Sequence, residues 1–231
     1  MTRRYFVSNL PENGGLVALS TAEAQHATRV MRVQVGDTLT LFDGGGNEAE
    51  ATFVAVGRNE CQCEAEPQRR VDREPSTEIH LGIALPKPDR ARELIERLTE
   101  IGVKSVTPLV AARTQRPPSD SLLQKLSRGV IEACKQSGRN QLLTLHAPVS
   151  ASSFFETARS DHRWIAHSSG SAIATRQDSA GSVVAVVGPE GGWTDEEFQL
   201  AVDLGYTPID LGRRIYRIET AATVIASVLA N

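Results

Sequence analysis

From residue 78 onward, apolar positions alternate between two periods, one of strands and one of helices. Residues 79–85 read as a strand. Residues 90–101 place Leu94, Ile95, Leu98 and Ile101 on one helical face, and Gly102 ends that helix. A strand over 106–110 and a helix over 121–136 follow, then a short apolar segment at 164–166. Residues 183–187 are continuously apolar, which predicts a strand buried on both faces. Thr194-Asp195-Glu196-Glu197 is a capping box that opens a helix closed by Gly205. A strand over 208–211 and an apolar helix over 220–230 complete the series. Strands that alternate with helices predict an α/β domain around a mainly parallel sheet.

The first seventy residues carry a different pattern. Strands are predicted over 4–7, 38–42 and 49–56, and Asp43-Gly44-Gly45-Gly46-Asn47 makes the hairpin loop between the last two. That glycine run is no phosphate cradle, because no GK[ST] follows it. One helix interrupts the strands: Ser20-Thr21-Ala22-Glu23 caps it, and Ala24, Ala27 and Met31 follow at helical spacing. A small β-barrel with one helix is expected. The stretch 67–75 is charged, aperiodic and bounded by prolines, as a junction would be. The expected division is a β-domain over 1–70, a linker over 71–77 and an α/β domain over 78–231.

Composition narrows the class. The chain has 231 residues, 40% hydrophobic and 23% charged, which suits two small folded domains. No apolar run approaches the length of a membrane span. Residues 1–7 lack the apolar core of a secretory signal, which predicts a cytoplasmic protein. Cys61, Cys63 and Cys134 form neither an even disulfide set nor a zinc set, so a reducing compartment and no metal are expected. The net charge of −3 argues against a surface coated for polyanions. Locally, however, residues 104–139 hold seven basic residues against two acids. This excess suits phosphate contacts, and equally a solvated helix face.

Two glycine turns carry the chemistry. Gly188-Pro189-Glu190-Gly191-Gly192 follows directly from the apolar strand, where a backbone without side chains can approach a ligand closely. It is not GxGxxG, which disfavours an ordinary dinucleotide site. The second is Leu211-Gly212-Arg213-Arg214-Ile215-Tyr216-Arg217-Ile218-Glu219-Thr220-Ala221, again at a strand end and leading into a helix. Three arginines ahead of a helix N-terminus oppose its dipole, which an anion nearby would explain. Glu219 and Thr220 suit that N-terminus.

These paired motifs resemble the SPOUT class of methyltransferases. Within it the chain is most similar to the RsmE family, which methylates N3 of a uridine near the 3′ end of bacterial 16S ribosomal RNA. Further segments share the likeness: Glu96-Arg97-Leu98-Thr99-Glu100-Ile101-Gly102-Val103, Thr107-Pro108-Leu109 and the stretch Glu132 to Asn140. So do Arg3-Arg4-Tyr5-Phe6, His26 to Arg32, and Gly36-Asp37. Two positions depart from the family pattern: Arg213 stands where proline is usual, and Tyr216 where leucine is common.

The resemblance implies a PUA-like N-terminal barrel and a C-terminal α/β domain with a deep trefoil knot, paired as a homodimer through the knotted domains. It implies S-adenosylmethionine as methyl donor, held by Val187, Gly188, Glu190, Gly191, Leu211, Gly212, Ile215 and Tyr216, with His167 at the wall. The acceptor would be 16S RNA, within the 30S subunit. Arg217 is expected to hold negative charge on the uracil carbonyls, and Glu219 is a candidate base or merely a helix cap. Arg3, Arg4, Arg29 and Arg32, with Arg113 and Arg139, are expected on RNA phosphates. Open alternatives are a SPOUT enzyme for another RNA, such as ribose 2′-O methylation of transfer RNA, and a non-catalytic assembly factor. A hydrolase is disfavoured because no GxSxG elbow is present.

Overall fold

The computed structural model describes residues 3–173 and 181–230. The chain forms two compact units, one of Met1–Glu74 with Ile131–Leu142, the other of Pro75–Val130 with Leu143–Asn231. Helix α3 (Asp120–Ser137) thus begins in the second unit and ends in the first.

The first unit is built on six strands: β1 (Arg4–Phe6), β2 (Gly15–Ala18), β3 (Thr38–Phe42), β4 (Asn47–Val56), β5 (Cys61–Ala65) and β6 (Arg69–Arg70). Their order is β1-β3-β4-β5-β2, with β6 on β4; β1 runs parallel to β3 and the other pairs are antiparallel. Ala49, Ala51 and Phe53 alternate inward along β4 and meet Tyr5, Leu39, Leu41, Cys61 and Cys63. Helix α1 (Thr21–Arg29) adds Ala24 and Ala27 to the same core. The expected hairpin joins β3 to β4. Gly44 and Gly46 take positive φ, and the Asp43 carboxylate accepts from the amides of Gly45 and Asn47. Ser20 caps α1 by accepting from the Glu23 amide. The Glu23 side chain turns away to pair with Lys135 at 2.9 Å.

The junction is less loose than its composition suggests. Arg69–Arg70 forms a strand beside β4, and a buried carboxylate gathers the surrounding charge. Glu48 accepts from Arg4 (3.2 Å), Arg69 (3.0 Å), Arg73 (3.2 Å) and Asn140 (3.1 Å). Glu74 in turn receives the guanidinium of Arg139. Two expectations are corrected here. Arg4 and Arg139 are 8% and 5% exposed, so they are internal ion-pair partners and not phosphate contacts. A sequence shows an arginine's charge but not the distant carboxylate that consumes it. Arg3, by contrast, is partly exposed beside Asp37, and Arg29 and Arg32 stand in solvent.

The second unit is a parallel sheet of β7 (Thr77–Ile83), β8 (Ser105–Val110), β9 (Thr144–Leu145), β10 (Val149–Ser150), β11 (His162–Ala172), β12 (Gly181–Val187) and β13 (Thr207–Asp210). The order is β10-β8-β7-β12-β11-β13, with β9 on β8. Helices α2 (Pro88–Ile101) and α6 (Ile218–Ala230) pack together, α6 against β7 and β12, burying Leu94, Ile95, Leu98, Ala222 and Ile225. Helices α4 (Ala151–Thr157) and α5 (Asp195–Asp203) pack together, α4 also against β8 and β10; Phe155, Ile165, Val184, Val186 and Tyr206 form the core there. Val183 to Val187 is therefore buried on both faces, as its apolar run predicts. At Gly82 an added Cβ would sit 2.8 Å from Phe154, so the small residue lets α4 approach the sheet. The segment 164–166 proves to be part of a longer strand, β11, whose register on β13 shifts between Ala166 and Ser171. Among the described residues no helix is long and apolar enough to cross a membrane.

The charge cluster around Glu48 has a testable consequence. Burial alone would raise this carboxyl, but the bonds from Arg73, Asn140, Arg4 and Arg69 outweigh it and bring the pKa down to about 2. A depressed folded-state pKa contributes stability above the ordinary glutamate value, and that contribution is lost as pH falls towards the folded value. Glu48→Gln should therefore cost about 3 kcal/mol at pH 7. It should also flatten the acid loss of stability between about pH 4.5 and 2. Urea denaturation across that range checks both.

Candidate functional site

The carboxyl ends of β12 and β13 lie at one level of the sheet, on either side of Ala166 in β11. In β11, Ile165 lies opposite Val186 of β12, and Ala166 lies opposite Ile209 of β13. The chain leaving β12 and β13 must turn within a few residues, and these two turns are the glycine motifs.

After β12, the Gly192 amide donates to the Pro189 carbonyl at 2.8 Å and closes the turn. Gly188 lies over the indole of Trp193, and a Cβ there would fall 2.8 Å from the ring. The turn feeds α5, where the predicted capping box forms: the Thr194 hydroxyl accepts from the Glu197 amide, and Glu197 accepts from the Thr194 amide. The other oxygen of Glu197 accepts from the Ala112 amide at 2.7 Å, which ties this turn to the chain leaving β8. After β13, Gly212 takes φ +112° and its amide donates to Asp210 at 3.1 Å.

Between the two turns lies a cleft of about 850 Å³. Of the expected ligand-binding residues, Val187, Gly188, Glu190, Leu211, Gly212, Ile215, Tyr216 and His167 line it, as do Arg217 and Arg113. Gly191 does not; it lines an adjoining cavity instead. His167 is held by stacking on Phe198, with ring centroids 4.0 Å apart, and by pairing with the Ser169 hydroxyl at 2.7 Å. Arg213, Arg214 and Arg217 have no ion-pair partner among the described residues, and all three are exposed. Their charge is available to an incoming anion.

The candidate base is corrected. Glu219 is buried, lines neither cavity, and accepts from Arg90 at 3.3 Å. Arg90 also donates to Glu190 at 3.0 Å, so one guanidinium fastens the first glycine turn to the start of α6. Sequence reasoning passed over Arg90. Its signal was a cation in the first turn of α2, where the helix dipole disfavours one. Arg113 has a similar fastening role, donating to the carbonyls of Gly191 (2.8 Å) and Trp193 (3.0 Å). Trp193, also unforeseen, forms part of the cleft wall. The three cysteines are free and buried; burial pushes Cys63 up to about 12 and Cys134 up to about 11, far from a nucleophilic thiolate.

Comparison with known proteins places this geometry. The RNA methyltransferase domain family matches residues 73–230, and the RNA methyltransferase PUA domain family matches residues 19–66. A ribosomal RNA small subunit methyltransferase E of Synechocystis is 34% identical over 218 residues, covering 90% of this chain and 70% of the relative. A methyltransferase of Legionella pneumophila, solved with bound SAM, superposes with a TM-score of 0.94 at 32% identity, over 99% of this chain and 97% of that one. A ribosomal RNA small subunit methyltransferase E of Neisseria gonorrhoeae, bound to S-adenosyl methionine, gives 0.90 at 27% identity, over 99% and 95%.

The two glycine turns differ in what a side chain would disturb. Gly188→Ala drives a methyl into the Trp193 indole and should cost about 1–3 kcal/mol of overpacking. Gly212→Ala meets no atom within 4 Å, yet its positive φ should still cost about 1 kcal/mol. Urea unfolding of both variants measures the difference; equal, negligible losses would contradict the packing described.

Proposed function

The chain belongs to the RNA methyltransferase family, and from that premise we propose that it transfers a methyl group from S-adenosylmethionine to N3 of a uridine in 16S ribosomal RNA. The observation that carries this reading is the single cleft shared by the turns at Gly188 and Gly212. Its size, about 850 Å³, falls in the range of small-molecule sites. Val187, Leu211, Ile215 and Tyr216 supply an apolar wall for an adenine, and both glycine turns bring backbone groups to the cleft without side chains between. The Legionella and Neisseria relatives, each solved with this cofactor, support the same donor.

When bound, S-adenosylmethionine supplies a methyl group on a sulfonium, already electrophilic. The chain's own task is alignment and charge. Holding the acceptor atom in line is worth about 7–11 kcal/mol at best. Uridine N3 is a weak nucleophile until its proton passes to solvent water, and a cation beside the ring lowers the cost of that loss. Arg217 lines the cleft without an ion-pair partner among the described residues, so it is the group for the negative charge that develops on the uracil carbonyls. Glu219 serves instead as Arg90's partner, positioning the start of α6.

The N-terminal unit docks RNA in this reading, with the exposed Arg29 and Arg32 inside the PUA-matching segment and Arg3 close to it in sequence. Such contacts fix position on phosphates and leave sequence unread. The reading includes a trefoil knot in the catalytic domain. It includes a homodimer, which would cover the wholly exposed Ile215 and the partly exposed Val228. The substrate is the 30S subunit in the cytoplasm.

Purified 30S subunits incubated with protein and S-adenosylmethionine, then digested to nucleosides, should yield 3-methyluridine by mass spectrometry. Methyl on ribose, or none at all, would overturn the assignment. Arg217→Ala should lower kcat by roughly 10²-fold or more, and full turnover would remove Arg217 from the mechanism.

A further inference from the structure

A second cavity, of about 660 Å³, abuts the first and shares Arg113, Pro189, Glu190 and Ile218 with it. It lies across the point where the strand order reverses. From β7 the chain first winds outward through β8 to β10, then crosses to β11 on the other side, and β12 fills the place between β11 and β7. The Ala84 amide donates to the Val187 carbonyl at 3.0 Å across that divide, with Ala84 lining the second cavity and Val187 the first. The crevice at such a reversal is where open parallel sheets bind ligands. Two adjoining chambers there suit a reaction with two substrates.

The geometry points to this second cavity as the acceptor site, taking one unstacked pyrimidine nucleotide of the RNA with its phosphate against Lys87 and Arg116. The inference rests on the methyltransferase reading above. Methyl transfer needs the acceptor atom within reach of the donor, so the acceptor chamber must border the donor cleft, and this one shares a wall with it. Its chemistry is that of a nucleotide. Leu85, Pro86, Pro88, Pro117 and Pro118 offer rigid apolar surfaces for the face of a base. Lys87, Arg113 and Arg116 bring three cations to the lining, and neither Lys87 nor Arg116 has an ion-pair partner among the described residues. The acidic member of the lining, Glu190, is already engaged by Arg90. A base inside a helix cannot enter such a chamber, so the target must be single-stranded or swung out of its stack. Arg113 holds the shared wall by its bonds to Gly191 and Trp193, which places it between the two substrates.

Lys87→Ala, Arg116→Ala, their double variant and the charge-keeping Lys87→Arg test the assignment. The probe is fluorescein-labelled hexauridylate, followed by anisotropy at two salt concentrations, beside S-adenosylmethionine affinity by calorimetry and KM against kcat on 30S subunits. Each alanine should weaken hexauridylate on the order of tenfold and lower the salt slope by about one charge. The same alanines should raise KM while donor affinity stays within twofold, and Lys87→Arg should restore binding. A double variant that binds hexauridylate and methylates like wild type overturns the acceptor site. Should wild type leave 30S subunits unmethylated while the hexauridylate losses stand, the proposed function falls and the nucleotide site survives.

Discussion

The structure depends on the parallel alignment of β12, β11 and β13. Because these strands point the same way, the carboxyl ends of β12 and β13 fall at one level on either side of Ala166 in β11, and the chain leaving those two ends must turn at one edge of the sheet. Buried hydrogen bonds fix the alignment: Val183 to Val187 is covered by helices on both faces, so its backbone groups have only neighbouring strands as partners. The glycines then decide what happens at that edge. Gly188 lies over Trp193 where no side chain fits, and Gly212 adopts a backbone conformation that other residues resist. The cleft is what remains between two turns held in place from below.

Charge works in two ways in this chain. Arg4, Arg69, Arg73 and Arg139 are drawn onto Glu48 and Glu74 and hold the first unit together. Arg90 and Arg113 fasten the first glycine turn through a pair of carboxylates and a pair of carbonyls. Arg213, Arg214 and Arg217 stay unpaired among the described residues, at the mouth of the cleft. A buried ion pair is expensive to break, while an exposed cation is free to meet a phosphate or a developing anion. Only the second kind belongs to function, and net charge separates neither from the other.

Much of the fold was legible because period and burial agree. The α2 stripe of Leu94, Ile95 and Leu98, the run 183–187 and the caps at Ser20 and Thr194 all lie where local physics places them. The strand Cys61–Ala65 was readable in principle, since Cys61, Cys63 and Ala65 point inward between polar neighbours, but cysteine is a weak strand signal. The two glycine motifs were legible as turns at strand ends, and the cleft gathers eight of the nine residues expected to hold the donor. What the sequence could not show was pairing across long separations. Glu219 looked like a base until Arg90, 129 positions earlier, took its carboxylate. Arg4 looked like a phosphate contact until Asn140 and Glu48 enclosed it. The second cavity was invisible for the same reason, being assembled from segments that begin near Ala84, Arg113 and Pro189.

A crystal structure of the protein grown with S-adenosylhomocysteine tests the central claim most directly. Ligand density lying between the turns at Gly188 and Gly212, with the adenine against Leu211 and Tyr216, is the result this account predicts. Density seated anywhere else on a well-folded molecule, with that cleft filled only by solvent, would contradict it.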